Sequence, residues 1–254
     1  MKRIVRKALN LAGYDIVKST SPKKKMDYSV ADFTADDWSL IENIKPYTRT
    51  TPERIYALKQ SIDYIVENNI PGDIVECGVW RGGNVMAAAY LLDKYSDTSR
   101  SIYLYDTFEG MSEPTEKDTT FSGESAKNLL TQSQKEDNNS VWCYASLEDV
   151  QQNMKSTSYP YEKFHFIKGK VEDTIPHKVP QQISLLRLDT DWYESTKHEL
   201  VHLFPLLVKG GVIIIDDYGH WEGARLATDE YFREKNISIL LNRIDYTGRI
   251  GVKI

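Results

Sequence analysis

From residue 51 onward the chain alternates short apolar runs with amphipathic stretches, and it ends on two apolar runs only four residues apart. Thr51-Pro52-Glu53 is a helix start, with Thr as N-cap and Pro at the first helical position. Ile55, Leu58, Ile62, Ile65 and Val66 form one apolar stripe behind it. Residues 74–79, 102–105, 164–167, 183–188 and 212–215 read as buried strands, and helical patterns cover 84–95, 194–208 and 222–235. Strands linked through helices run parallel, with the helices on both faces. The last runs, 237–244 and 249–254, are joined by Asp245-Tyr246-Thr247-Gly248, a connection short enough only for an antiparallel pair. The expected fold is α/β: a mostly parallel, seven-stranded sheet closed by a C-terminal antiparallel hairpin.

Residues 108–163 interrupt this rhythm between the second and third strands. An insertion at the C-terminal strand ends is where a lid or acceptor-binding cap would sit, unless it is a surface excursion without function. The expected organisation is a basic N-terminal arm and helix over 1–45, then a single domain over 46–254 carrying the insertion. Charge is uneven: the formal net charge is −5, yet residues 1–25 hold eight basic residues against Asp15 alone. Ile4, Val5, Ala8, Leu11 and Ala12 recur there at helical spacing, which suits a stripe packed on its own domain, an anionic membrane surface or a partner subunit. The acidic balance disfavours nucleic acid as the main partner. No apolar run approaches the ~20 residues that span a bilayer. Two cysteines and no secretory leader pattern point to the cytoplasm.

Three strand ends carry the chemistry. The first runs into Glu76-Cys77-Gly78-Val79-Trp80-Arg81-Gly82-Gly83. A dinucleotide fingerprint would need glycine at position 80, and the indole of Trp80 stands there instead. Glu-x-Gly-x-x-x-Gly suits a cofactor without phosphates, such as S-adenosylmethionine, with Gly78 and Gly82 turning beneath it; a plain strand-to-helix turn is the alternative. The second strand ends on Asp106, placed to accept ribose hydroxyls or simply to start a loop. The third feature is Asp189-Thr190-Asp191 after one strand and Asp216-Asp217 after the next. Clustered carboxylates repel and are costly to bury unless a cation neutralises them, and an all-oxygen set suits a hard ion such as Mg²⁺ or Ca²⁺ better than zinc. Such an ion would hold two acceptor hydroxyl oxygens and acidify one, with Asp191 as general base. Helix capping would explain one Asp per helix but not a pair beside a pair.

His198-Glu199-Leu200-Val201-His202 matches the H-E-x-x-H zinc pattern, with Glu222 at third-ligand spacing. The buried stripe Leu200, Leu203, Phe204, Leu207 and Val208 turns both histidines away from the core, so the match reads as coincidence. His220 follows the acidic pair, either assisting the acceptor and its proton or stacking on Trp221.

Together the segments 76–83, 105–110, 187–196 and 215–219 resemble the macrocin O-methyltransferase family, which includes sugar O-methyltransferases of macrolide and aminocoumarin biosynthesis. The resemblance covers residues 46–235. It implies the class I methyltransferase fold, Rossmann-like, with S-adenosylmethionine, Mg²⁺ and methylation of a sugar hydroxyl. It assigns Asp189, Asp216 and Asp217 to the metal and Asp191 to the base role, with His220 as a second catalytic candidate. Glu76, Gly78, Arg81, Gly82, Asp106, Thr107 and Phe108 fall to the cofactor, and Thr50 and Thr51 approach it from the preceding segment. A nucleotide-activated sugar or surface-polysaccharide precursor is the favoured acceptor, because residues 108–170 are rich in polar and basic groups. A glycosylated natural product is the alternative, and a metal-dependent hydrolase or a binding module without turnover stands further off. A homo-oligomer is expected.

Overall fold

Apolar residues on the central strands point alternately to two helical layers, and this alternation builds the molecule. The computed structural model describes residues 30–137 and 140–254; the basic stretch 1–25 lies outside them. Strands β1 (Asp73–Cys77), β2 (Ile102–Asp106), β3 (Phe164–Lys168), β4 (Ile183–Leu188), β5 (Leu207–Ile215), β6 (Asn242–Arg243) and β7 (Arg249–Val252) form one sheet. Their order is β3-β2-β1-β4-β5-β7-β6. The first five are parallel, and β7 runs antiparallel to β5 and β6. This is the expected class I arrangement.

Ile74, Leu185 and Ile214 face one layer, with Ile62 and Leu58 of α2 (Pro52–Glu67) and Leu92 of α3 (Gly83–Lys94). Val75, Leu186 and Ile213, their neighbours in sequence, face the other, with Leu200 and Leu203 of α7 (Tyr193–Leu203) and Tyr231 of α8 (Glu222–Glu234). A strand covered on both faces must be apolar throughout. Each fully buried Ile or Leu there stabilises the fold by about 1.5–3 kcal/mol relative to exposure. Residues Phe33–Ile254 form one compact unit, in which α1 (Ala35–Ile44) is closed by a Thr34–Asp37 capping box.

Several boundaries differ from expectation, among them β1, which ends at Cys77 rather than at residue 79, and β5, which starts at Leu207 rather than at residue 212. The helix predicted over 194–208 stops at Leu203, because Phe204–Leu206 tighten into a 3-10 turn carrying Pro205, and β5 already begins at Leu207. The strand predicted over 237–244 shrinks to two residues, paired as Asn242↔Ile250 and Arg243↔Arg249. Ile237, Ile239 and Leu241 pack on the core without joining the ladder, and their alternation mimics a strand.

The insertion is docked onto the body. It contains α4 (Ala126–Gln132) and α5 (Leu147–Lys155), and Ala126 and Leu130 share a small core with Trp192, Trp221 and Ala224. Buried Asp118 accepts from the backbone N–H of Tyr193 at 2.8 Å, capping α7 from outside the helix. A short helix α6 (Val171–Thr174) follows β3. None of the described helices is long and apolar enough to cross a membrane.

Candidate active site

The C-terminal ends of β1, β2, β4 and β5 open into a cleft of about 280 Å³. That is where ligands sit in open α/β sheets. Gly78 makes the first strand end possible. Its φ is +79°, and a Cβ there would lie 2.0 Å from the Asp189 carbonyl oxygen, so only glycine lets β1 and β4 leave the sheet this close together.

The floor is organised by Arg187, which is only 3% exposed and therefore requires partners. Its Nη1 donates to Glu76 at 2.5 Å and to Asp189 at 2.7 Å, and its Nη2 donates to Asp216 at 2.6 Å. One guanidinium thus ties the ends of β1, β4 and β5. Arg54 of α2 reaches the same Asp216 with Nη1 and Asp245 of the hairpin with Nε. Neither arginine was anticipated as a site residue. Arg187 carries a signal all the same: a charge inside Leu185-Leu186-Arg187-Leu188 cannot be buried alone.

The carboxylates divide by their surroundings. Burial opposes ionisation of Asp216, but Arg187 and Arg54 overcome it and hold the group below the usual range. Asp217 goes the other way: burial, then the adjacent Asp191 and Asp216 charges, push it well up. Burial also raises Asp189 against the pull of Arg187, and lifts both Asp191 and Glu76 to about 7. Carboxylate oxygens of Asp189, Asp191 and Asp217 lie within 4.8 Å of one another, and Asp217 Oδ2 is buried without a hydrogen-bond partner. Asp191 has φ +68°, a costly conformation for a residue with a side chain. The turn it occupies is anchored by Thr190, whose hydroxyl donates at 2.9 Å to fully buried Glu199.

The other expected residues separate into two groups. Gly78, Thr50, Asp106 and Thr107 line the cleft with the aspartates. Asp106 also accepts from the N–H groups of Val79 (2.8 Å), Trp80 (3.2 Å) and Phe108 (2.7 Å) and from the Thr107 hydroxyl (3.4 Å), which engages all four of its acceptor positions. Thr50 Oγ1 accepts from Asn84 at 2.9 Å. Glu76, Arg81, Gly82, Phe108, Thr51 and His220 are not part of the lining. Glu76 stands behind Arg187. Arg81 makes a bidentate pair with Asp149 at 2.8 and 2.9 Å. Gly82 caps α3 in the left-handed region, Phe108 is buried in the core, and Thr51 caps α2 and donates to Asp245.

The H-E-x-x-H segment builds no metal site among the described residues. The His198 and His202 rings lie against each other at a tilt of 50°, His198 Nε2 meets the Ile175 carbonyl at 3.0 Å, and Glu222 pairs with Arg225. Glu199 points inward, away from both. Cys143 lines the cleft with its thiol pushed up to about 12 by burial, so it stays protonated and is a poor nucleophile.

Comparison with known proteins gives a consistent family. The model of the macrocin-O-methyltransferase (TylF) family matches residues 7–250. Demethyldecarbamoylnovobiocin O-methyltransferase of Streptomyces niveus is 32% identical over 196 residues, covering 77% of this chain and 71% of its own. Mycinamicin III 3''-O-methyltransferase of Micromonospora griseorubida is 31% identical, covering 80% and 76%. An O-methyltransferase from Streptomyces olivaceus, whose name specifies the 4'-oxygen of a rhamnosyl tetracenomycin, is 31% identical over 84% and 76%. Among solved structures, the O-methyltransferase NovP superposes with a TM-score of 0.71 at 28% identity, covering 82% of each chain.

Proposed function

The chain belongs to the macrocin O-methyltransferase family, and from that premise we propose that it transfers the methyl group of S-adenosylmethionine to a hydroxyl of a sugar with the help of Mg²⁺. One observation carries the reading. Asp189, Asp191 and Asp217 converge in the cleft, beside the turn that Gly78 makes possible, with Asp217 Oδ2 buried and unpartnered. Glu76, Asp189, Asp191, Asp216, Asp217 and Asp245 crowd this floor around Arg187 and Arg54, and burial raises four of them above the usual carboxylate range, a set whose ionised form a divalent cation would favour.

Asp189, Asp216 and Asp217 would hold the ion, as the resemblance implies. Asp216 meets its two arginines with one oxygen each, which leaves lone pairs free, and it also contacts Asp189. Bound there, a divalent cation supplies a Lewis acid that positions and acidifies an acceptor hydroxyl. Asp191 takes the proton as the new O–C bond forms and the S–C bond of the sulfonium breaks. Arg187 and Arg54 keep Asp216 ionised. Thr190, Glu199 and the strained turn aim Asp191.

The favoured acceptor is a nucleotide-activated sugar or surface-polysaccharide precursor, supported by the polar lining at Lys170, Glu172 and Ser112. The names of the relatives, which specify natural-product scaffolds, support glycosylated natural products as the second form. Titration calorimetry with S-adenosylhomocysteine tests the cofactor, with binding expected; absent binding refutes the methyl-donor reading. Radiolabelled methyl transfer to dTDP-rhamnose against demethyldecarbamoylnovobiocin then separates the acceptor forms. Product from the former only is the expected result.

A further inference from the structure

Beside the floor lies a group of rings that no catalytic role absorbs. Phe121 from the insertion is 61% exposed and Tyr246 from the hairpin turn is 52% exposed, and both rings meet each other and His220. These exposed aromatics are grouped rather than scattered, and grouped apolar surface beside a cleft is a mark of a binding site. The Phe121 ring lies 5.8 Å from His220 and 6.4 Å from Tyr246, with interplanar angles of 64° and 69°. The rings therefore meet edge to face in a corner rather than in a stack. Three segments distant in sequence supply it, and backbone bonds lock them together. Phe121 N–H donates to the His220 carbonyl at 2.8 Å, and Gly219 N–H donates to the Thr247 carbonyl at 2.8 Å. Gly219 is pressed so closely on the hairpin that a Cβ would lie 1.9 Å from the Tyr246 carbonyl oxygen.

The corner borders the cleft across Trp221. His220 stacks edge-on against Trp221, with ring centres 4.9 Å apart, and Trp221 lines the cleft. His220 N–H donates to the Asp217 carbonyl at 3.0 Å, which sets the ring group one turn from the carboxylates. His220 Nδ1 faces Tyr246 Oη at 3.3 Å.

We propose that Phe121, His220 and Tyr246 form the subsite that takes the pyranose ring of the acceptor. A pyranose presents C–H groups on its faces and hydroxyls at its edge, which matches aromatic faces bordered by a phenol and an imidazole. The proposal rests on the reading that the enzyme methylates a sugar hydroxyl. It goes beyond that reading by assigning specificity to residues outside the catalytic floor.

The test is saturation-transfer NMR with methyl α-L-rhamnopyranoside as the probe. The wild-type protein is expected to saturate the ring protons. The Phe121→Ala/Tyr246→Ala double variant should lose roughly fivefold or more of that signal, whereas Phe121→Tyr and Tyr246→Phe, which retain the rings, should keep it. Calorimetry with S-adenosylhomocysteine, run on the same samples, should show equal affinity in wild type and double variant, which confirms intact folding. No saturation by the wild type, or an undiminished signal in the double variant, overturns the proposal. Absent S-adenosylhomocysteine binding in the wild type would instead refute the methyl-donor reading.

Discussion

The floor of the cleft and its rim are made from different materials. The floor packs Glu76, Asp189, Asp191, Asp216 and Asp217 around two guanidinium groups, mostly out of water. The rim sets Phe121, His220 and Tyr246 half in solvent on loops from three parts of the chain. The floor is costly to assemble, because each buried charge depends on the others. The rim rests on backbone bonds and little burial. Chemistry and specificity are therefore separable here: floor substitutions should damage folding and turnover together, whereas rim substitutions should alter acceptor binding alone.

The largest expected effect is on turnover. Asp191→Asn should lower kcat by about 10²- to 10⁴-fold while leaving Mg²⁺ affinity near wild type, and Asp216→Asn should weaken Mg²⁺ binding measured by calorimetry. The reverse pattern would place Asp191 among the ligands, as its convergence with Asp189 and Asp217 allows. Next comes stability. Arg187→Met should cost about 3–5 kcal/mol in chemical denaturation, since it takes the guanidinium from Glu76 and Asp189 and leaves Asp216 with Arg54 alone. A cost below about 1 kcal/mol, the range of exposed pairs, would show that the hub is not what joins the strands.

A smaller effect follows from pH. Asp191 and Glu76 are lifted to about 7 in the folded chain, above their ordinary carboxylate values. Their contribution to stability is therefore fully present at acid pH and is lost as pH rises through about 7. Metal-free protein should melt at a lower temperature at pH 8 than at pH 5.5, and Mg²⁺ should raise Tm more at pH 8. The opposite trend would mean that burial does not raise these floor carboxylates. The rim should respond least, with Tm nearly unchanged in the Phe121 and Tyr246 variants.

Legibility followed range along the chain. The strands, the glycine turn at Gly78 and the two aspartate pairs are local patterns, and the structure brings them to one cleft. Arg54 was not legible as a partner of Asp216, because 162 residues separate them and only the docking of α2 on the hairpin joins them. The roles of Arg81 and Glu76 were equally hidden: both sit behind the lining, one on Asp149 and the other on Arg187. The short β6 escaped because Ile237, Ile239 and Leu241 bury their side chains with strand-like spacing but never pair their backbone with β7. The aromatic corner is assembled from residues 121, 220 and 246, which no window on the sequence contains.

The central claim is that the strand-end carboxylates form a cation-dependent methyl-transfer centre. Methyl transfer from tritiated S-adenosylmethionine to a sugar acceptor, measured before and after removal of divalent ions by EDTA and again with Mg²⁺ restored, tests it most directly. The account predicts that EDTA lowers the rate by about a hundredfold or more, that Mg²⁺ restores it in the wild type, and that Asp217→Asn is not rescued. A rate unchanged by EDTA, or an Asp217→Asn enzyme as active as the wild type, would contradict it.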